Sequence, residues 1–125
     1  MINTEFIQAL SRKYFSKDSL KTKKILVIDD DNDILGIIKI VLERQGYIVE
    51  TSSNSEIVHN LSTTPDLIII DVNLQTDDGR DICNYLKSNE ATKEIPVILY
   101  TGHSLEYVNN YQGNFNPDCL LSKPF

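Results

Sequence analysis

From Lys24 onward, short aliphatic runs alternate with segments whose apolar residues recur at helical spacing. That pattern specifies a parallel sheet covered by crossover helices. The run KILVID, 24–29, is nearly continuous Ile and Val, as in a central parallel strand buried on both faces. Asn32 or Asp33 is placed to cap the next helix, whose apolar face is Ile34, Ile38, Val41 and Leu42 and whose end is Gly46. A second strand is predicted over Tyr47 to Thr51. A weaker helix follows over Ser53 to Leu61, carrying Ile57, Val58 and Leu61, until the polar turn STTP stops it. DLIIID, 66–71, is the third strand, and Gly79 to Asn89 is a helix with Ile82, Tyr85 and Leu86 on its buried side. PVILYT, 96–101, is the fourth strand. Ser104 to Tyr111 makes a poor helix because Asn109, Asn110 and Gly113 have low propensity, and CLLS, 119–122, is the fifth strand.

The two ends depart from this alternation. Ile2, Phe6, Leu10 and Tyr14 recur every four positions with Ile7 alongside, the pattern of an amphipathic helix over about Thr4 to Phe15, with Ser16 to Thr22 as a connecting loop. No helical segment follows the fifth strand. The expected division is therefore a helical extension and linker, 1–22, and one domain, 23–125. A chain of 125 residues, 41% hydrophobic and 24% charged, has the size and composition of a single water-folded domain. Its net charge of −6 argues against direct nucleic-acid binding, and the Lys21, Lys23 and Lys24 cluster fits a solvated linker. No apolar run approaches a membrane span and the first residues lack a signal-peptide core, so a cytoplasmic location is expected. Cys83 and Cys119 have no C-x-x-C spacing and are expected to be reduced packing residues.

The candidate chemistry lies at the strand ends. In an open parallel sheet, ligands bind outside the carboxyl ends of the strands, near the point where strand order reverses. There the first strand ends in Asp29 and Asp30, the third in Asp71, the fourth in Thr101 and the fifth in Lys123. Three carboxylates brought together repel unless a cation lies among them, and oxygen-only ligands suit Mg²⁺. Lys123 would add a compact positive charge and Thr101 a hydroxyl donor, both fitted to phosphoryl oxygens. Phosphoryl transfer to a carboxylate is the chemistry that follows.

With ILVIDDD, LIIIDVN, Thr101–Gly102 and SKPF in this order, the sequence resembles the receiver domains of two-component response regulators over about Lys23 to Phe125. The resemblance implies a flavodoxin-like, doubly wound five-stranded parallel sheet of order 2-1-3-4-5. It implies that Asp71 accepts phosphate from a histidine kinase or phosphotransfer protein. Asp30 would bind Mg²⁺ directly, Asp29 largely through water and Asn73 through its backbone carbonyl, with Asp71 also among the metal residues. Thr101 would hydrogen-bond the phosphoryl group and move with it, and Lys123 would pair with it beside a cis bond to Pro124. Asn73 and His103 would flank the water that later discharges Asp71. Such a module catalyses only its own phosphorylation and dephosphorylation, and its output passes to a downstream protein or a second copy through the face bearing Thr101 and Leu120.

Three positions depart from the family pattern. Leu120 stands where an aromatic residue is common, Gln75 stands where a proline often lies, and the last helix is absent. Three arrangements are open for the sheet face that helix would cover: the N-terminal helix docks there, the helix lies beyond the end of the chain, or a partner chain covers it.

Among the other charged residues, Asp31 and Asp33 are best explained as helix-start charges, Asp77 and Asp78 as a loop and cap, and His59 as a partly packed histidine. A Mg²⁺-dependent phosphatase of the haloacid dehalogenase type is the alternative, invited by Asp29 and Asp31. Asp33 breaks its D-x-D-x-T/V pattern, and little chain remains for a substrate cap. A calcium loop is excluded, since Ile34 replaces the required glycine and Ile40 the bidentate glutamate.

Overall fold

A computed structural model describes residues 23–102, 110, 111 and 117–122, the stretch 119–122 by its backbone alone. Strand β1 (Lys24–Ile28) leads into helix α1 (Asn32–Arg44) and strand β2 (Ile48–Ser52). A short 3-10 helix, Ser55–His59, precedes β3 (Leu67–Asp71), followed by α2 (Gly79–Ser88), β4 (Val97–Thr101) and β5 (Cys119–Ser122). All strand pairs are parallel, in the order β2-β1-β3-β4-β5.

Side-chain alternation along the central strands sorts the core into two layers. Ile25, Val27, Leu67, Ile69, Ile98 and Tyr100 pack on one face with Leu35, Ile38 and Leu42 of α1. Leu26, Ile28, Ile68, Ile70, Val97 and Leu99 pack on the other with Ile82, Cys83 and Leu86 of α2. Burial on both faces explains why β1, β3 and β4 are almost uninterrupted aliphatic runs. The β1-α1-β2 and β3-α2-β4 connections leave the sheet centre in opposite directions. Because such crossovers are right-handed, the two helices fall on opposite faces, and strand order reverses between β1 and β3. That reversal opens a crevice at the carboxyl ends of β1 and β3.

Every expected strand is present, with β1, β2, β3 and β4 within one residue of the predicted limits. Helix α1 is capped by Asp31, not by Asn32 or Asp33: its carboxylate accepts from the backbone N–H groups of Asp33 at 3.0 Å and Ile34 at 3.3 Å. A cap residue must be extended, and Asp31 has φ −90° and ψ 104°, whereas Asn32 is already helical. The α1 stripe is centred on Leu35, Ile38 and Leu42, so Ile34 and Val41 lie at its edge. Gly46 follows the helix at φ 95°, the left-handed conformation that ends helices. The weak helix expected over Ser53 to Leu61 is only the 3-10 helix, started by an Asn54 cap and broken at Asn60.

At the opposite end of the sheet from the crevice, Lys87 Nζ donates to the Ile95 carbonyl at 2.8 Å and to Asp118 at 2.7 Å. Asp118 also accepts from the Val97 N–H at 2.7 Å. Burial raises the Asp118 pKa, but these hydrogen bonds and the lysine charge outweigh it and hold the carboxyl below its ordinary range. The expected N-terminal helix, most of the expected helix after β4, His103, Lys123, Pro124 and the Leu120 side chain lie outside the described residues. No helix among the described residues is long and apolar enough to cross a membrane.

Two isoleucine-sized truncations on α1 test this layering. Leu42, 1% exposed, faces the sheet, and its replacement by Ala is expected to lower unfolding free energy by about 2–5 kcal/mol. Ile40, 53% exposed, should change it by no more than about 0.5 kcal/mol on replacement by Ala. Chemical denaturation of both variants measures the difference.

Candidate metal and phosphoryl site

The crevice gathers carboxylates from two strands. Asp29 and Asp30 follow β1, Asp71 ends β3, and one oxygen from each lies within 4.8 Å of the others. Asp29 is fully buried, Asp71 is 5% exposed and Asp30 is half-buried. At such separations each pair of like charges repels by roughly 3–4 kcal/mol for an effective dielectric near 20. A cluster of hard oxygen donors with this spacing fits a small divalent cation such as Mg²⁺.

Local backbone turns aim these groups. Asp31 N–H donates to Asp29 Oδ1 at 2.8 Å, and Asn73 N–H donates to Asp71 Oδ1 at 3.0 Å. Each carboxylate is thus clasped by the chain two residues on, an Asx-type turn that folds the segment leaving the strand back across its end. The Tyr100 hydroxyl donates to Asp29 Oδ2. Burial, followed by the charges of Asp29, Asp71 and Asp30 and the Asp29 hydrogen bond, pushes this phenol well above its ordinary pKa. Thr101 is buried at the end of β4 and in register with Ser122 of β5, the residue preceding Lys123. The structure therefore brings Asp29, Asp30 and Asp71 together and puts Asn73 beside them, while Lys123 is outside the described residues.

The loop after β3 is closed at both ends. Asn73 and Asp78 form an antiparallel bridge, Leu74 N–H donates to Asp77 O at 3.2 Å, and the Ser55 hydroxyl donates to Asp77. Asp78 caps α2, accepting from Arg80 N–H at 2.9 Å, and also receives the Arg80 side chain at Nε 2.9 Å and Nη2 2.6 Å. Burial raises the Asp78 pKa, yet the Arg80 bonds and charge prevail and hold it below the usual carboxylate range. Arg80 is itself buried and stacks on Tyr111, 4.9 Å from the ring centroid. Asp77 and Asp78 thus serve as a loop tie and a cap, as expected, Asp31 lies at the helix start as expected but acts there as the cap, and His59 packs edge-on against Tyr85.

Two site residues escaped the sequence reasoning. Gly79 is pressed against the strand that carries Asp71: a Cβ there would lie 2.3 Å from Asp71 O and 2.9 Å from Val72 Cα. Its N–H also donates to Val72 O at 2.8 Å. Its sequence signal was a glycine directly after a cap, which points to a helix start and not to a close backbone approach. Tyr100 was absorbed into the apolar strand PVILYT. The available signal was a polar-tipped ring in a strand otherwise lined by aliphatic residues, since a buried phenol needs a hydrogen-bond partner.

Comparison with known proteins agrees with this geometry. The family model of the response regulator receiver domain matches residues 25–125. The alkaline phosphatase synthesis transcriptional regulatory protein PhoP of Bacillus subtilis is 34% identical over 105 residues, covering 82% of this chain and 43% of that protein. The chain spans under half the length of such relatives. The signal receiver domain of a histidine kinase from Syntrophus aciditrophicus superimposes with TM-score 0.73 at 35% identity, over 83% of this chain and 80% of that one. The receiver domain of a sensor histidine kinase from Pseudomonas aeruginosa, solved with a magnesium ion in its active-site cleft, gives TM-score 0.74 at 21% identity, over 84% and 88% of the two chains.

The Gly79 contact makes Gly79→Ala a sharp probe, because the added methyl must displace backbone. The expected loss is about 1–3 kcal/mol of unfolding free energy in chemical denaturation. Asp78 gives a pH test. Its folded pKa lies below the ordinary 3.8, so its contribution is complete above that value and disappears as pH falls through the folded pKa. Asp78→Asn should therefore be less stable than the parent at neutral pH and lose less stability on acidification below 3.8, read by denaturation at a series of pH values.

Proposed function

The chain belongs to the family of response regulator receiver domains, and from that premise we propose that Asp71 is the residue that accepts the phosphoryl group. A receiver domain is a phosphoacceptor of two-component signalling, and its partner in that chemistry is a histidine kinase. The observation that carries the assignment is the convergence of Asp29, Asp30 and Asp71 at the reversal of strand order, with Asp71 at the end of the central strand. Asp30 and Asp71 would hold Mg²⁺ directly, with Asn73 contributing its backbone carbonyl. Asp29 would act through water, a role supported by the donors already on both its oxygens. When bound, the cation offsets the charge of the cluster and of the incoming phosphoryl oxygens.

The reaction by this chain's own groups is in-line attack. An Asp71 carboxylate oxygen forms a bond to phosphorus, the phosphorus–nitrogen bond of a phosphohistidine breaks, and the departing imidazole keeps the electron pair and takes up a proton. Thr101 and Lys123 would meet the phosphoryl oxygens, and water attack would later release phosphate. We place the receiver unit at 23–125, with 1–22 as an extension and linker. Support for that boundary is the onset of sheet pairing, where Lys23 O accepts from Ile48 N–H at 2.9 Å. A phosphotransfer protein as alternative donor, a downstream protein or second copy as recipient of the signal, and a cytoplasmic setting complete the proposal.

The phosphatase alternative would make Asp29 the nucleophile and Asp31 its acid–base partner. Asp29 is buried beneath two hydrogen bonds and Asp31 is committed to capping α1, which favours Asp71.

Intact-mass measurement after treatment with acetyl phosphate separates the two. The parent should gain the mass of one phosphoryl group with Mg²⁺ and much less with chelator, and Asp71→Asn should gain none. Retention of the label in Asp71→Asn, with loss in Asp29→Asn, would overturn the assignment.

A further inference from the structure

Tyr100 belongs to the hydrophobic layer by position and to the acidic cluster by its hydroxyl. It is paired in register with Asp71, and its carbonyl accepts from Val72 N–H at 2.9 Å. Strand alternation then decides where the ring goes. Ile25 and Val27, Leu67 and Ile69, and Ile98 and Tyr100 all face α1, so Asp71 and the Tyr100 ring share that side of the sheet. Strands β1 and β4 are two sheet spacings apart, about 9–10 Å, with β3 between them. The phenol spans that gap and reaches Asp29 Oδ2. Its backbone thus fixes the strand of one carboxylate while its side chain holds another.

We propose that Tyr100 is a positioning residue for the acidic cluster, holding Asp29 by its hydroxyl so that the metal-free cluster is tolerated and Mg²⁺ affinity is set below what the carboxylates alone would give. Both partners are buried, Tyr100 at 1% and Asp29 at 0% exposure, so a lost hydroxyl cannot be replaced by bulk water. Without a metal ion, the Tyr100 hydroxyl is among the groups that offset three mutually repelling charges. With the cation present, that task is shared and the phenol matters less. Any group that stabilises the metal-free form more than the bound form weakens binding by the same factor. The raised pKa of the phenol agrees with this geometry, since it keeps the proton that the hydrogen bond uses.

This inference rests on the reading of the cluster as a Mg²⁺ site, and the experiment separates the two. Calorimetric Mg²⁺ titration and thermal melting, in chelator and in saturating Mg²⁺, are performed on the full chain and on Tyr100→Phe, which keeps the ring that fills the layer. The variant should melt lower in chelator, show a larger upward shift with Mg²⁺ and bind the ion about three- to tenfold more tightly, the factor expected for one net hydrogen bond. A variant that folds only with Mg²⁺ would support the same conclusion. Equal or weaker affinity with an unchanged Mg²⁺ shift would overturn the role of Tyr100 alone, as would a variant that folds under neither condition. A parent that does not respond to Mg²⁺ would overturn the site reading together with it. An Asp29→Asn background supplies the control. There Tyr100→Phe should lower the chelator melting temperature by much less, whereas simple ring packing would give the same loss in both backgrounds.

Discussion

Like charges forced together at a buried sheet end are the constraint around which this molecule is organised. Asp29 and Asp71 sit at the carboxyl ends of β1 and β3, the adjacent strands at which the order reverses, and both are nearly inaccessible to solvent. Burial strengthens their repulsion and removes them from bulk water, so hydrogen-bond donors from the protein contribute to their stabilisation. The backbone supplies two of these, from Asp31 and Asn73, through turns that also set the direction in which the chain leaves each strand. The Tyr100 hydroxyl supplies another from two strands away. Local turn, sheet register and aromatic packing are thus all bound to one electrostatic requirement.

The opposite layer meets the same requirement by steric means. Helix α2 begins so close to β3 that its first residue can carry no side chain without striking the Asp71 carbonyl. This approach fixes the backbone of the proposed nucleophile from below. Asp78 then anchors the helix start through its cap and its two-point contact with Arg80, and the Asn73–Asp78 bridge closes the loop between them. A carboxylate at the end of a strand would ordinarily be free to swing with its loop. Here its backbone is wedged between a glycine and the neighbouring strand, whose Tyr100 carbonyl accepts from Val72. Precision at Asp71 is a property of packing as much as of hydrogen bonding.

What the sequence disclosed follows from where its signals were periodic. Buried parallel strands such as KILVID and DLIIID announce themselves by continuous branched aliphatics, and topology then places Asp29, Asp30 and Asp71 at one crevice without any knowledge of coordinates. Signals confined to one residue were weaker. Asp31, Asn32 and Asp33 are all competent caps, and only the backbone angles at Asp31 decide among them. Ile57, Val58 and Leu61 have helical spacing, yet a stretch this short between Asn54 and Asn60 holds only 3-10 geometry. Gly79 and Tyr100 were illegible for a different reason. Their importance lies in contacts with Asp71 and Asp29 that bridge separate elements, and a single residue's type carries no record of its spatial partner.

These observations together explain why a signalling module would retain so much polar machinery in an otherwise aliphatic sheet. If the cluster were fully neutralised by protein donors, a cation and a phosphoryl group would gain nothing by binding. Left bare, it would weaken a domain whose stability is a small difference between large terms. A few donors on buried oxygens, with Asp30 kept half-exposed at the rim, leave the charge partly compensated. Ligands that bring positive charge to this crevice then stabilise the fold as they bind. The residual repulsion is the reserve on which the site operates. It lies at the ends of β1 and β3, and Asp71 pairs in register with Tyr100, the residue before the buried Thr101.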